Sequence, residues 1–271
     1  MHLSLNVSIS HIGLTLVERL RSAASAGFDV VEMWWPFEQP DPPREELASL
    51  ASEIRSAGLK LALLNLDGGD LGSGERGILS HPHAAERFRA NLQSALWLAE
   101  ETGCRVLNAL YGNRLPGLDQ EVAGALAVRH LTAASQAASD IGAEIVVEAL
   151  NSGDCPAYPL NTPQAVVELI EEVRSAGAVE VGYLCDVYHL ARMGIEPAVA
   201  VRDFGAYVGH VQVADFPGRG IPGSGTIRFP ELFAALRATG YAGYVGVECH
   251  GADKIKPRDV IRLMAGGAAG G

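Results

Sequence analysis

Eight short, β-rich apolar runs, separated by stretches with helical periodicity, constrain this chain more than any other feature. The runs lie at 3–8 (LSLNVS), 29–34, 59–65, 105–110, 144–148, 180–186, 207–213 and 243–248. Between them, residues 16–27, 44–58, 84–103, 162–177 and 229–240 repeat apolar positions at steps of three and four, and each stretch ends at a glycine. That spacing predicts amphipathic helices stopped by a residue that tolerates the left-handed conformation. Strand and helix in strict alternation predict a parallel sheet, and eight strands are enough to close one. The fold class expected is therefore α/β, a single (β/α)8 TIM barrel. At 271 residues the chain matches the roughly 250 that such a barrel needs. The catalytic domain is expected at 1–264, followed by a flexible Gly/Ala tail at 265–271 (AGGAAGG).

Four of the runs close on a polar oxygen: IVVE at Glu148, YLCD at Asp186, HVQ at Gln212 and YVGVE at Glu248. Barrel enzymes keep their chemistry at the C-terminal ends of the strands. The separations of 38, 26 and 36 residues each leave room for a loop, a helix and the next strand. Three carboxylates converging in a partly dry cleft repel one another strongly, and a divalent cation relieves that repulsion. An all-oxygen set of Glu148, Asp186, Gln212 and Glu248 suits Mg²⁺ or Mn²⁺ better than Zn²⁺, which favours His or Cys. A cation holding two oxygens of an α-hydroxy-carbonyl compound stabilises the enediolate formed when the α-proton leaves. Glu148 and Glu248 then read as proton acceptor and donor on either side of the substrate, which is an isomerase or epimerase mechanism.

His189, three residues after Asp186 in DVYH, is placed to hydrogen-bond a substrate oxygen. The connections at 67–83 and 214–228 are long and glycine-rich, and each carries an arginine, Arg76 in GERG and Arg219 in PGRG. Loops on that face of a barrel hold substrate, and either guanidinium suits a substrate carboxylate. His210 shares its strand face with Gln212 and so points into the barrel. Trp34 and Trp35 close the second strand, where one ring can wall the pocket, whereas Trp97 falls on a helix and reads as core.

A net charge of −11 argues against nucleic acid and anionic membranes as partners. Four cysteines without a C-x-x-C pair, two of them inside apolar runs, predict buried reduced thiols. The sequence shows neither a signal-like N-terminus nor an apolar stretch near 18 residues, so a cytoplasmic enzyme acting on a small molecule is expected. It leaves room for a homo-oligomer.

With these residues in view, the chain resembles the hydroxypyruvate isomerase family of the xylose isomerase-like barrel superfamily. The resemblance rests on GERG (74–77), VEALN (147–151), LNTPQA (160–165), CDVYHLARM (185–193), GHVQVADFPGRGIPGSGTIRF (209–229) and YAGYVGVE (241–248), and it spans essentially the whole chain. It implies Glu148 and Glu248 as the acid/base pair, Glu148, Asp186, Gln212 and Glu248 as metal ligands, and interconversion of hydroxypyruvate and tartronate semialdehyde. The chain departs from the family in two places. Gly153 stands where family members usually carry an arginine, and Glu248-Cys249-His250-Gly251 replaces a Glu-Tyr-Lys-Pro run. Fewer cations near the pocket favour a larger or neutral ketose, so a ketose 3-epimerase or a four-carbon oxo-acid isomerase on the same site is the alternative expectation. A metal-dependent phosphodiesterase of the abasic-site endonuclease type is remote, because that chemistry wants a histidine-rich zinc cluster and a basic groove.

Overall fold

The computed structural model describes residues 1–10 and 12–265. The expected tail at 265–271 therefore lies, apart from Ala265, outside the described residues. Strands β1 (His2–Asn6), β2 (Val30–Met33), β3 (Lys60–Asn65), β4 (Val106–Asn108), β5 (Glu144–Glu148), β6 (Val181–Asp186), β7 (Val208–Val213) and β8 (Tyr244–Val247) follow the eight apolar runs. Each pairs in parallel with the next, and β8 returns to β1 through His2 to Leu5 against Tyr244 to Val247, closing an eight-stranded barrel. Observed strands are shorter than the apolar runs: β4 stops at Asn108 and β8 at Val247, so Glu248 follows its strand rather than ending it.

The helices lie outside: α1 (Leu16–Ala26), α2 (Arg44–Ser56), α3 (Ala85–Thr102), α4 (Gln120–Ser139), α5 (Pro163–Ser175), α6 (Val187–Arg192), α7 (Pro197–Phe204), α8 (Phe229–Ala238) and α9 (Pro257–Met264). Local chemistry sets their starts. Thr15 and Glu18 form a reciprocal capping box at α1, Thr162 caps α5 ahead of Pro163, and the Asp119 side chain caps α4. Between the sixth and seventh strands, where the sequence leaves room for a loop and a helix, two short helices, α6 and α7, stand on either side of Gly194, which has φ 73°.

Period-two alternation decides which side chains reach the barrel interior. Outward positions such as Leu5, Val31, Ile145, Val147, Val211 and Val245 join one large core with the helices. Inward positions split. Leu63, Val146 and Leu184 form a small apolar cluster of their own, whereas the opposite wall is polar, with Ser4, Asn6, Glu32, His210 and Gln212 all buried. Glycines make room for that polar wall: a Cβ on Gly246 would lie 2.2 Å from a Glu32 carboxylate oxygen. All four cysteines are buried and none is in a disulfide, as the sequence predicts, and no described helix is long and apolar enough to cross a membrane.

Candidate active site

Glu148, Asp186 and Gln212 are the last inward-facing residues of β5, β6 and β7, and Glu248 continues the inward face of β8. Register brings Asp186 level with Gln212, and Gln212 level with Gly246. Glu148, Glu248, His189, Arg219 and Arg76 line one cavity of about 250 Å³. Asp186 and Gln212 are buried and do not line it. The structure thus gathers the seven candidate site residues, Glu148, Asp186, His189, Gln212, Glu248, Arg76 and Arg219, at one end of the barrel.

Each glutamate is steered by an asparagine on the neighbouring strand. Asn108 Nδ2 donates to Glu148 Oε2 at 2.9 Å, and Asn6 Nδ2 donates to Glu248 Oε2 at 3.2 Å. Asp186 doubles as the N-cap of α6, its Oδ1 accepting from the backbone N–H groups of Tyr188 and His189. That cap turns the chain back over the strand end, so His189 Nε2 comes within 3.6 Å of Asp186 Oδ2 and 3.8 Å of Glu148 Oε1. Glu148, Asp186 and His189 together form a group compact enough to hold a metal ion.

Burial dominates the electrostatics. It raises the Glu148 carboxyl well above the usual range, and the nearby Glu248 and Asp186 add to the effect. Burial likewise pushes Glu248 up to about 8, although Arg219 pulls the other way. The His189 imidazole is pushed down to about 4, again chiefly by burial. For Arg219, burial opposes the charge, but the Glu248 and Asp186 carboxylates outweigh it and hold the guanidinium above its ordinary value.

The two arginines differ. Arg219 Nη2 donates to Glu248 Oε1 at 2.6 Å and to Asp186 Oδ2 at 3.2 Å, and the guanidinium carbon lies 5.4 Å from the Tyr188 ring centroid. It is committed to protein carboxylates rather than facing the cavity unpaired. Arg76 is tethered only to carbonyl oxygens, those of Leu71 at 3.1 Å and Glu75 at 2.6 Å, and to the Cys155 thiol. Among the described residues it makes no ion pair.

The loop carrying Arg219 is organised by Asp215, whose two carboxylate oxygens accept from the backbone N–H groups of Phe216, Gly223, Gly225 and Ile227. Arg219 itself sits at φ 53°, an unusual backbone position for a residue with a side chain. At the position where the family usually has arginine, the missing side chain leaves space that Arg192 uses: a Cβ on Gly153 would lie 3.2 Å from Arg192 Nη2. Arg192 meanwhile pairs with Asp154, which lines the cavity, at 3.0 Å. Arg192 thus occupies the space at 153 without lining the cavity.

Sequence reasoning missed Asn6, Asn65, Asn108, Glu32, Asp154 and Asp215. Asn6, Asn65 and Asn108 are the last residues of β1, β3 and β4, and of these only Asn65 also closes its apolar run in the sequence. Of the aromatic expectations, Trp34 does wall the cavity, and Trp97 packs half-buried on α3 under Arg44, 4.4 Å from ring centroid to guanidinium. His210 does face inward, where its Nε2 meets Glu32 Oε2 at 2.7 Å.

The residues present fit a divalent cation. Gln212 Oε1 is buried without a hydrogen-bond partner in the structure, an oxygen whose lone pairs nothing in the protein satisfies. Three buried carboxylates share that end of the barrel, and among the described residues Arg219 is the one guanidinium that pairs with them.

Comparison with known proteins agrees with this geometry. Residues 20–265 match the family described as xylose isomerase-like TIM barrel. The chain belongs to that family. A putative hydroxypyruvate isomerase from Streptomyces coelicolor is 41% identical over 269 residues, covering 98% of this chain and 96% of the relative. The hydroxypyruvate isomerase of Escherichia coli K12 is 30% identical, covering 92% and 93%. Among solved structures, one described as AP endonuclease, family 2, from Brucella melitensis superposes with a TM-score of 0.84 at 28% identity, covering 98% of both chains. This xylose isomerase-like barrel is an enzyme of the isomerase class.

Proposed function

We propose that the protein is an oxo-acid isomerase that interconverts hydroxypyruvate and tartronate semialdehyde, with Glu148 and Glu248 as the acid/base pair. The observation that carries this reading is the convergence of two buried glutamates, each steered by its own asparagine, on a cavity that also holds a histidine donor and an unpaired arginine. In the forward direction a proton leaves C3 of hydroxypyruvate, a proton returns at C2, and one moves from the C3 hydroxyl to the C2 oxygen. One glutamate takes the first proton and the other supplies the second, the roles exchanging in reverse. Burial raises both carboxyls in the protein without a cation, and a bound cation would oppose that rise and favour the carboxylate that accepts a proton.

His189 Nε2–H is the donor for the substrate oxygen. Its Nδ1 accepts the backbone N–H of Asn151 at 3.0 Å, which places the ring proton on Nε2. A protonated Nε2 cannot ligate a metal, so the ligand set remains Glu148, Asp186, Gln212 and Glu248, holding Mg²⁺ or Mn²⁺. The cation, when bound, supplies positive charge to the substrate oxygens as the enediolate develops. Arg76 receives the substrate carboxylate. Arg219, close to the cavity yet paired with Glu248 and Asp186, neutralises the carboxylates and serves substrate only secondarily.

A four-carbon oxo acid is the second reading. A further cavity of about 500 Å³ adjoins the first and shares Trp34, Asn65, Leu71 and Leu110 with it, so room exists for a longer chain. Protein stripped with a chelator and reconstituted with Mn²⁺ should convert hydroxypyruvate and wash deuterium from D₂O into it, both followed by proton NMR. Exchange with a four-carbon oxo acid alone would move the assignment to the second reading, and exchange with neither would overturn both.

A further inference from the structure

Glu32 lies inside the barrel, beneath the site, and plays no part in the chemistry proposed above. It is 0% exposed. A carboxylate in that position is costly unless every lone pair is used, and here several donors converge on it. Gln212 Nε2 donates to Oε1 at 2.8 Å, and His210 Nε2 lies 2.7 Å from Oε2. Ser4 Oγ at 3.4 Å and Asn6 Nδ2 at 3.5 Å add weaker contacts, and Asn6 reaches on to Glu248 Oε2 at 3.2 Å. Gly246 leaves the space the carboxylate fills.

A carboxylate only accepts, so its partner amide must present nitrogen. With Nε2 held by Glu32, the Gln212 oxygen has to point the other way, and that oxygen is the buried Oε1 without a partner. From this geometry we infer that Glu32 is a positioning residue: it sets the amide orientation of Gln212 so that a carbonyl oxygen, not an N–H, faces the cation site. Through Asn6 the same carboxylate is tied to a second ligand, Glu248. The inference rests on the cation reading proposed above and adds to it the residue that makes a neutral amide usable as a ligand. Outer partners that orient ligands typically tune metal affinity by 10–100-fold.

Glu32→Gln is a poor test, because its amide oxygen could still accept from Gln212 if His210 changed tautomer. Glu32→Met keeps the length and removes the acceptor. Free Mn²⁺ titrated by electron paramagnetic resonance should show binding to E32M weakened about 10–100-fold. His210→Leu removes the other strong bond to Glu32 and leaves Gln212 held, so H210L should weaken binding by no more than about threefold, well short of that range. The decisive variant is E32M/Q212E. A carboxylate has two equivalent oxygens and needs no orienting partner, so the double variant should regain most of the lost Mn²⁺ affinity, while Q212E alone sets two carboxylates against each other and binds worse than wild type.

Wild-type affinity in E32M, or no recovery in E32M/Q212E, would overturn the inference while leaving the cation site intact. Should E32M not fold, crystals of the wild-type protein soaked in Mn²⁺ decide the matter: Gln212 must touch the ion with its oxygen and Glu32 with its nitrogen, and a ligated Gln212 out of contact with Glu32 sinks the idea. Wild-type protein that binds no Mn²⁺ at all would remove the cation reading itself, and this inference with it.

Discussion

The backbone N–H of Asn151 donates to His189 Nδ1 at 3.0 Å, across 38 residues of sequence. A ring nitrogen that accepts carries no proton, so this one bond selects the neutral Nε2–H tautomer. Burial enforces the same state by lowering the His189 pKa to about 4 from an ordinary 6.5. A depressed pKa means that the neutral form is favoured by the fold; its contribution to stability is complete above the ordinary value and is lost as pH falls through about 4. Nitrogen-correlated NMR of the imidazole should show His189 as the Nε2–H tautomer at pH 5.5, where an exposed histidine is largely charged. A protonated ring at that pH would contradict the buried donor role.

Glu248 shifts the opposite way. Its pKa is raised to about 8 in the protein without a cation, so the fold favours the protonated form. The associated stability is present below the ordinary carboxylate range and is lost as pH rises through about 8. Melting temperature of the chelator-treated protein should therefore decline from pH 5 to pH 9, and Glu248→Gln should flatten that decline. Equal slopes in the two proteins would show that the carboxyl is not the titrating group.

Removing a proton acceptor while keeping its shape separates chemistry from folding. Glu148→Gln and Glu248→Gln should each lower turnover by at least about 10²–10⁴, the usual worth of general acid/base catalysis, with circular dichroism unchanged. Near-normal turnover in either variant would end the two-glutamate mechanism.

The arginines should separate in kinetics and stability. Arg76→Ala should raise KM for a carboxylated substrate far more than for a neutral ketose, because Arg76 is the cavity's cation without a protein carboxylate. Arg219→Ala instead strips Glu248 and Asp186 of their partner. Breaking such a buried pair costs about 3–5 kcal/mol, so at pH 9, where Glu248 is ionised, the cation-free variant should melt well below wild type, and added Mn²⁺ should restore part of the loss. Identical behaviour of the two variants would mean that the pairings described for them are not what distinguishes them.

Asp215 accepts four backbone N–H groups and fixes the loop that delivers Arg219. Asp215→Ala should leave the barrel folded but open residues 216–227 to limited proteolysis and depress activity. A protease-resistant loop in that variant would show that other contacts suffice to order it.

Much of the site was legible in the sequence because the signal is local. An acid or amide at the end of an apolar run needs only the strand's own alternation to reach the barrel mouth, and Glu148, Asp186, Gln212 and Glu248 all do so. The same rule applied to amides would have added Asn65, whereas Asn6 and Asn108 lie inside their apolar runs and become strand ends only in the fold. Glu32 was not legible, because it sits inside VVEM, where a mid-strand acid reads as one half of an ordinary polar/apolar alternation. Arg219 was found on the right loop, but its commitment to Glu248 and Asp186 depends on a backbone turn at φ 53° that no composition predicts.

The sequence by itself determined the eight strands, most of the helices around them and which strand ends carry oxygen, because periodicity, glycine stops and caps act within a few residues. Tertiary structure alone decided which groups are paired. Asn6 meets Glu248 from 242 residues away only because β1 closes onto β8, and Glu32 meets Gln212 across 180 residues only because both face the same closed interior. In that interior water is excluded, so each polar atom must find a partner in the protein or wait for one from outside. For Gln212 Oε1, the fold supplies no such partner.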